Sequence, residues 1–364
     1  MATEPAHPNW TPHPIATRWD DLLDGVKTAA DWGRKRNGVK RRFLELIRDE
    51  AAPPVPNDLD VRTEWEQDGG GFLLRRISYK VEADERAHAF LAVPPGPAPA
   101  GGFPAVLCIH GTRNWAARAS VGLGPEPDDP HAGRGPLPGM DYGRVLALNG
   151  YVTLSPEHFC CATRCPKEGP FDTAAFYRKH PRWSAVGKST FENKIALNVL
   201  QTLPYVNGGK LSATGHSLGG QNSIFISAYD ERIKCAAPSC AYMTFNENPT
   251  PLNWSRDHWY IYFPQLREQF LRGERIQCDF HEMLALSAPR PLLEFFALED
   301  GDPVSQAHRA MLHLKVREVY RMLGAEAAHA FLVFGDGHNL PHLSRSCLVS
   351  WMDRWLKHDG KADW

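Results

Sequence analysis

The chain has 364 residues, 43% of them hydrophobic, and its 41 lysines and arginines nearly balance 42 aspartates and glutamates. That length supports a large core, and the balance leaves no global field toward nucleic acid or an anionic membrane. No basic-then-apolar leader opens "MATEPAHPNWTPHPIATRWDD", and no run approaches the roughly 18 apolar residues of a membrane helix. A soluble, cytoplasmic protein with a small-molecule or neutral-polymer partner is the expectation.

Residues 1–60 read as an N-terminal helical extension, because "RWDDLLDGVKTAADWGRKRNGVKRRFLELIRDE" carries apolar positions at helical spacing before "AAPPVPND" breaks the pattern. Its basic run, Lys35 to Arg42, reads as a solvated helix face, since acidic residues flank it and no aromatic platform is interleaved. From about residue 71, "FLLRRISYK" and "AHAFLAV" read as an antiparallel strand pair at a sheet edge. The run "PAVLCIHG" then suits a strand buried on both faces. Strand and helix patterns alternate from there, with further strands at "YVTLSP", "KLSATG", "IKCAAPS", "PLLEFFAL" and "HAFLVFG". That alternation is the signature of a mostly parallel sheet with helical crossovers, of about eight strands here.

Between the strands, "STFENKIALNVLQTL" opens on a capping box, Ser189 with Glu192, and "SQAHRAMLHLKVREVYRMLG" runs from Ser305 to a stop at Gly324. "SRSCLVSWMDRWLKHDG" reads as a last helix. Residues 112–140 form a long Gly/Pro-rich loop directly after a strand, where loops of that length tend to carry function. Residues 241–282 insert an aromatic-rich stretch, with Trp254 and Trp259 in it, read as a cap over a pocket. The eight cysteines lack paired spacing, so reduced, packed thiols are expected rather than disulfides. The cluster "CCATRC", Cys160 to Cys165, has no second pair to complete a metal site.

The chemistry centres on Gly215-His216-Ser217-Leu218-Gly219, a G-x-S-x-G with an apolar strand before it and a helix after it. A serine on so sharp a turn is backbone-strained, and glycines on either side let the turn pass its neighbours. Its hydroxyl needs a base, and in this architecture the order is serine, acid, histidine. His338 lies just past the last strand in "FLVFGDGHNLPH", with His342 as its nearest competitor. The acid belongs in "EDGDPVSQAH" after the penultimate strand: Asp302 sits in the loop proper before Pro303, with Asp300 and then Glu299 as alternatives. An oxyanion hole needs two backbone N–H donors, assigned to Leu218 and to Thr112, with Gly111 close behind. Trp254, Trp259, His110 and Glu157 are candidate substrate contacts, His110 being equally suited to shaping the turn after its strand.

Together, "PAVLCIHGT", "GYVTLSPEHF", "GHSLGGQNS", "SAPRPLLEFFALEDGDP" and "VFGDGHNLP" resemble the dienelactone hydrolase and acetyl xylan esterase-like branch of the α/β-hydrolases, from about residue 60 onward. The resemblance implies an α/β-hydrolase catalytic domain over residues 61–364, with 241–282 as its cap insertion, and Ser217, Asp302 and His338 as the triad. It departs from dienelactone hydrolases proper in having serine rather than cysteine at the nucleophile, and it carries Glu157 and His158 where larger relatives often have an aspartate. The function implied is hydrolysis of carboxylic esters through an acyl-enzyme, with acetylated carbohydrates or small esters and lactones as substrates and neither metal nor organic cofactor. A prolyl oligopeptidase-like peptidase needs a propeller of blades of about 40 to 50 residues each, for which the lead-in is too short. An inactive α/β-hydrolase used for binding is the third reading. The oligomeric state stays open.

Overall fold

The computed structural model describes residues 18–133, 137–301 and 303–361. Helix α1 (Ala29–Ile47) leads into strands β1 (Arg62–Asp68), β2 (Leu73–Glu82), β3 (Glu85–Val93) and β4 (Phe103–Ile109). Short helices α2 (Ala116–Ser120) and α3 (Tyr142–Leu148), strand β5 (Val152–Pro156) and helices α4 (Ala174–Lys179) and α5 (Ala185–Thr202) follow. Then come β6 (Val206–His216), α6 (Leu218–Tyr229), β7 (Ile233–Ser239), α7 (Arg267–Arg272) and α8 (Phe280–Ala285). The chain ends with β8 (Leu292–Ala297), α9 (Pro303–Met322), β9 (His329–Phe334) and α10 (His342–Met352).

One sheet runs in the order β1-β2-β3-β5-β4-β6-β7-β8-β9. β1, β2, β3 and β5 pair antiparallel, and every pairing from β5 through β4 to β9 is parallel. Each strand read from the sequence is present, and β1 is the addition. Its "RTEWEQD" is exposed at every position, so no apolar alternation announces it, and charge is what a free sheet edge uses to discourage further pairing. β4 and β5 are buried along their whole length, as strands covered by helices on both faces must be. No described helix is long and apolar enough to cross a membrane, and all eight cysteines are free.

Helix α1 starts on a full capping box, Thr28 with Asp31, and buries Trp32, Val39, Phe43 and Ile47 in the main core. Its basic run faces solvent only in part: Arg41 is exposed, but others of its cations turn to neighbouring helices. Lys40 Nζ donates to the last carbonyls of α6, including Tyr229 at 2.6 Å. Arg36 donates to Glu231 and to Leu286 O, both at 3.0 Å, and Arg42 reaches Glu282 at 2.6 Å. Lys40 thus closes orphan carbonyls at the end of α6 and Arg36 one at the end of α8, where positive charge is favoured, while Arg42 pairs with a carboxylate. Burial, reinforced by Arg36 and Arg290, pushes the Lys40 ammonium pKa down to about 8.

The expected capping box of α5 is corrected. The helix begins at Ala185 under a Ser184 cap, whose Oγ accepts from Gly187 N at 2.9 Å, so Ser189 and Glu192 fall inside it. Glu192 is instead the anion of a buried network, bonded by Arg164 at 2.7 and 2.8 Å and by Lys188 at 3.0 Å. Lys188 also reaches Glu82 and Glu85 at the β2–β3 turn, so the network ties hairpin, helix and the loop after β5 together. Burial alone would raise the Glu192 pKa, but the charges and hydrogen bonds of Arg164 and Lys188 outweigh it and hold the group at about 2. The folded value lies below the ordinary 4.5. Its contribution to stability is therefore complete above that pH and is lost as pH falls toward about 2. Glu192→Gln leaves two buried cations short of a partner and is expected to lower unfolding free energy at pH 7 by about 3 kcal/mol. In urea titrations the gap to wild type should narrow below pH 4; a gap independent of pH would overturn this account.

Candidate active site

Between His216, the end of β6, and Leu218, the start of α6, Ser217 makes the whole turn, with φ 58° and ψ −123°. A side chain at that backbone conformation is strained and persists only where the surroundings force it. Here Ser217 N donates to Ser239 O at the end of β7, 2.9 Å away, and Gly215 is in register with Ile109 on β4 and Pro238 on β7. A β-carbon at Gly215 or Gly219 would fall well inside contact distance of the Ile109 carbonyl oxygen. At Gly111 it would lie 3.5 Å from Ser217 Cβ and 3.2 Å from His216 O, so this glycine stands directly against the serine. Thr112, one residue on, is exposed, and Leu218 opens α6, where its N–H has no intrahelical acceptor.

His338 lies in the loop after β9. Asp336 builds that loop, accepting from Gly337 N at 2.8 Å and Asn339 Nδ2 at 2.9 Å. The His338 ring lies 4.5 Å from that of His216, centroid to centroid, which sets it beside the residue preceding Ser217. Its Nδ1 is 2.9 Å from Asp300 Oδ2. With the proton on Nδ1 donated to that carboxylate, Nε2 is left as the basic nitrogen. The acid contact is thus held by Asp300, the alternative in the sequence reading; Asp302 lies outside the described residues. Glu299, the third candidate, donates its N–H to Asp336 O at 3.0 Å and so joins the acid loop to the base loop.

Burial, the largest influence on Asp300, pushes its pKa up, but the hydrogen bond and charge of His338, with Arg309, hold it below the ordinary aspartate value. Arg309 Nη1 donates to Asp300 O at 2.7 Å and its Nε to Tyr242 O at 3.1 Å, fixing the acid loop. Nothing in the sequence marks this arginine, nine residues past Asp300 on α9. His216, the variable residue of the G-x-S-x-G, is also structural here: its Nδ1 meets Ser239 Oγ at 3.1 Å, and burial, with the His338 charge, drops its pKa to about 3. His216, Cys240 and His338 offer ligand atoms within 4.8 Å of one another. They suit a metal poorly, because the Cys240 thiol is pushed up to about 12 by burial and His338 Nδ1 is taken by Asp300.

The four expected substrate contacts separate. His110 is buried, its Nδ1 2.7 Å from Gly111 O and its Nε2 accepting from His158 N at 3.2 Å, which fixes the proton on Nδ1. Burial, partly offset by that bond to Gly111, lowers its pKa to about 4, so it is a neutral brace under the loop after β4. Trp254 is buried among Phe245, Tyr262 and Phe280, with ring centroids 4.9 to 5.3 Å away. Trp259 is half-buried, donating to Pro170 O at 3.0 Å beneath the Arg256 guanidinium. The aromatic insertion thus packs largely on itself. Glu157 is paired with Arg76 at 2.6 Å and borders a cavity of about 630 Å³, which Trp65, Asn114, Arg118, Asp128 and His131 also line. Ser217 and His338 are not among the residues lining it.

Strand order, parallel register, serine turn and His–Asp pair together define an α/β-hydrolase fold. No protein-family model matches the chain. It is 28% identical over 155 residues to carbohydrate esterase MZ0003 from an unknown prokaryotic organism, covering 39% of this chain and 34% of that protein. It is 24% identical over 228 residues to a protein named as a hydrolase, YtaP, of Bacillus subtilis (strain 168), covering 60% of this chain and 72% of that one. The match therefore spans about a third of the first relative's length. Among solved structures, a glucuronoyl esterase from Solibacter usitatus superposes with TM-score 0.68 at 15% identity, over 90% of this chain and 94% of that one.

Ser217 supplies a direct test of strain. Glycine adopts φ 58° without penalty while alanine keeps the β-carbon, so Ser217→Gly should be more stable than Ser217→Ala by about 1 kcal/mol in chemical denaturation. The reverse order would show that the turn stores no strain.

Proposed function

We propose that the protein is a serine esterase that cleaves carboxylic esters, with esters of carbohydrates as its substrate class. The observation that carries this is Ser217, held strained at the N-terminus of α6 beside a His338–Asp300 pair. In this reading His338 Nε2 takes the hydroxyl proton as Ser217 Oγ attacks the ester carbonyl. The tetrahedral oxyanion is met by the Leu218 N–H and by an N–H of the Gly111–Thr112 segment. Collapse expels the alcohol, protonated by His338, and leaves an acyl-serine. Water, deprotonated by the same imidazole, then releases the acid and restores the hydroxyl. Asp300 holds the imidazole in the tautomer these steps need and stabilises the imidazolium.

The names of the relatives support the carbohydrate class, and an ester fits them better than the peptide bond of a prolyl oligopeptidase-like enzyme. For the sugar portion, the cavity of about 630 Å³ beside the loop that follows Gly111 offers aromatic rings, Trp65 and Trp115, among polar side chains. A cytoplasmic setting with no nucleic-acid or membrane partner accompanies this reading.

Ser217→Ala and Asp300→Asn should each reduce hydrolysis of p-nitrophenyl acetate by roughly 10³-fold or more, whereas Asp302→Asn should stay within a few-fold of wild type. Full activity of Asp300→Asn, with loss in Asp302→Asn, would move the acid to Asp302. A fluorophosphonate probe that labels wild type but not Ser217→Ala excludes an inactive binding protein. Against a panel of acetylated xylose, cellobiose and peptide amides, Trp65→Ala should raise KM for the sugar esters several-fold at constant kcat, leaving p-nitrophenyl acetate turnover unchanged. An unchanged KM would take the sugar out of that cavity.

A further inference from the structure

Behind the acid loop, between β8, α9 and β9, three side chains with ligand chemistry meet in the interior. Glu294 on β8, His313 on α9 and His329 at the start of β9 are 0%, 3% and 4% exposed. One atom from each, a carboxylate oxygen and two ring nitrogens, lies within 4.8 Å of the other two. Glu294 Oε1 is 3.1 Å from His313 Nδ1 and 4.0 Å from His329 Nε2. None of these three atoms makes a hydrogen bond. An ionised carboxylate buried in this way is costly unless positive charge meets it.

The remaining atoms of the cluster show which protons are present. Tyr242 Oη donates to Glu294 Oε2 at 2.8 Å, and its oxygen lies 2.9 Å from His313 Nε2. The tyrosine has one proton and gives it to the carboxylate, so the imidazole proton sits on Nε2 and is donated to the tyrosine oxygen. That leaves His313 Nδ1 and Glu294 Oε1 as two lone pairs facing the same point, with His329 Nε2 turned toward it. A ligating histidine whose other nitrogen donates to a neighbour, and a ligating carboxylate whose second oxygen is hydrogen-bonded, are the outer-shell pattern of bound metals.

We propose that Glu294, His313 and His329 bind a divalent transition-metal ion, zinc by the character of the ligands, as a structural site separate from the esterase chemistry. Two imidazole nitrogens and one carboxylate oxygen suit zinc, with a water in the fourth position. Tetrahedral ligation needs donor atoms about 3.4 Å apart, so the Glu294–His313 spacing is nearly met and His329 closes by roughly an ångström. The ion would join β8, which leads to Asp300, to α9, which carries Arg309, and to β9, which leads to His338. It would thereby hold together the three elements that position the acid and the base.

The test is metal content, measured by plasma mass spectrometry on the full chain grown with added zinc and desalted. One zinc per chain is expected in wild type, and also in Ser217→Ala and His338→Ala, which exclude the trio at the serine. Glu294→Gln and His329→Phe, checked for native circular dichroism, should lose it. Stripping with dipicolinate should lower the wild-type Tm by roughly 4 °C, and added zinc should restore it. Cobalt in place of zinc should give tetrahedral visible absorption in wild type alone of the wild-type and Glu294→Gln pair, a readout that needs no unfolding. Wild type that holds no metal after incubation with zinc or cobalt, or a folded Glu294→Gln that binds as wild type does, overturns the site. Neither result touches the esterase assays, so the two readings fail independently.

Discussion

The carbonyl oxygen of Ile109 is the point the rest of this structure must accommodate. It closes β4, accepts the Tyr142 hydroxyl at 2.7 Å, and lies where a β-carbon on Gly215 or Gly219 would have to go. With glycine on both sides, β6 can run in register against β4 as far as Gly215, opposite Ile109, and turn into α6 at Ser217. Ser217 then has no neighbour to share the turn with and takes the strained conformation alone. The close approach of β4 also sets Gly111 against the serine. Strain at Ser217 and the closeness of Gly111 to it are thus two results of one packing constraint.

Much of this was legible beforehand. Buried parallel strands advertise themselves as continuous apolar runs, so "PAVLCIHG" and "PLLEFFAL" could be placed from sequence. Ser217 and His338 could be placed too, because their loops follow recognisable strands. What escaped depends on polar partners distant in the chain. Glu192 resembles the third residue of a capping box, and only Arg164, 28 residues away, shows that it belongs to a buried network. The α1 cations resemble a solvated face until the α6 carbonyls are seen beneath them. For the acid the sequence offers several candidates; Asp300 makes the contact to His338, and Arg309, which bonds the Asp300 carbonyl, carries no local signal.

The aromatic insertion shows the same limit from the other side. Composition suggested rings for a ligand, and five of them instead face one another: Phe245, Trp254, Tyr262, Phe263 and Phe280 form a continuous packed group. A stretch with only short helices buries little backbone by itself, and the interlocked rings join it to the main core, where Phe225 of α6 meets Phe263 and Phe280. Of the aromatic residues that do border the large cavity, none comes from the insertion, and Trp65 sits on the strand that no apolar alternation announces.

Electrostatics divides the molecule in a way that bears on catalysis. Around Ser217 the histidines other than His338 are buried and kept neutral: His110, His158 and His216 are pushed to about 4, 3 and 3 by desolvation. They act as hydrogen-bonding braces without adding charge beside Ser217. The charged groups of the acid loop are anchored from behind, by Arg309 on Asp300 and by the backbone pair of Glu299 with Asp336. An imidazole whose carboxylate partner is already ionised and oriented needs little rearrangement when it takes a proton, which is the condition for efficient general-base catalysis.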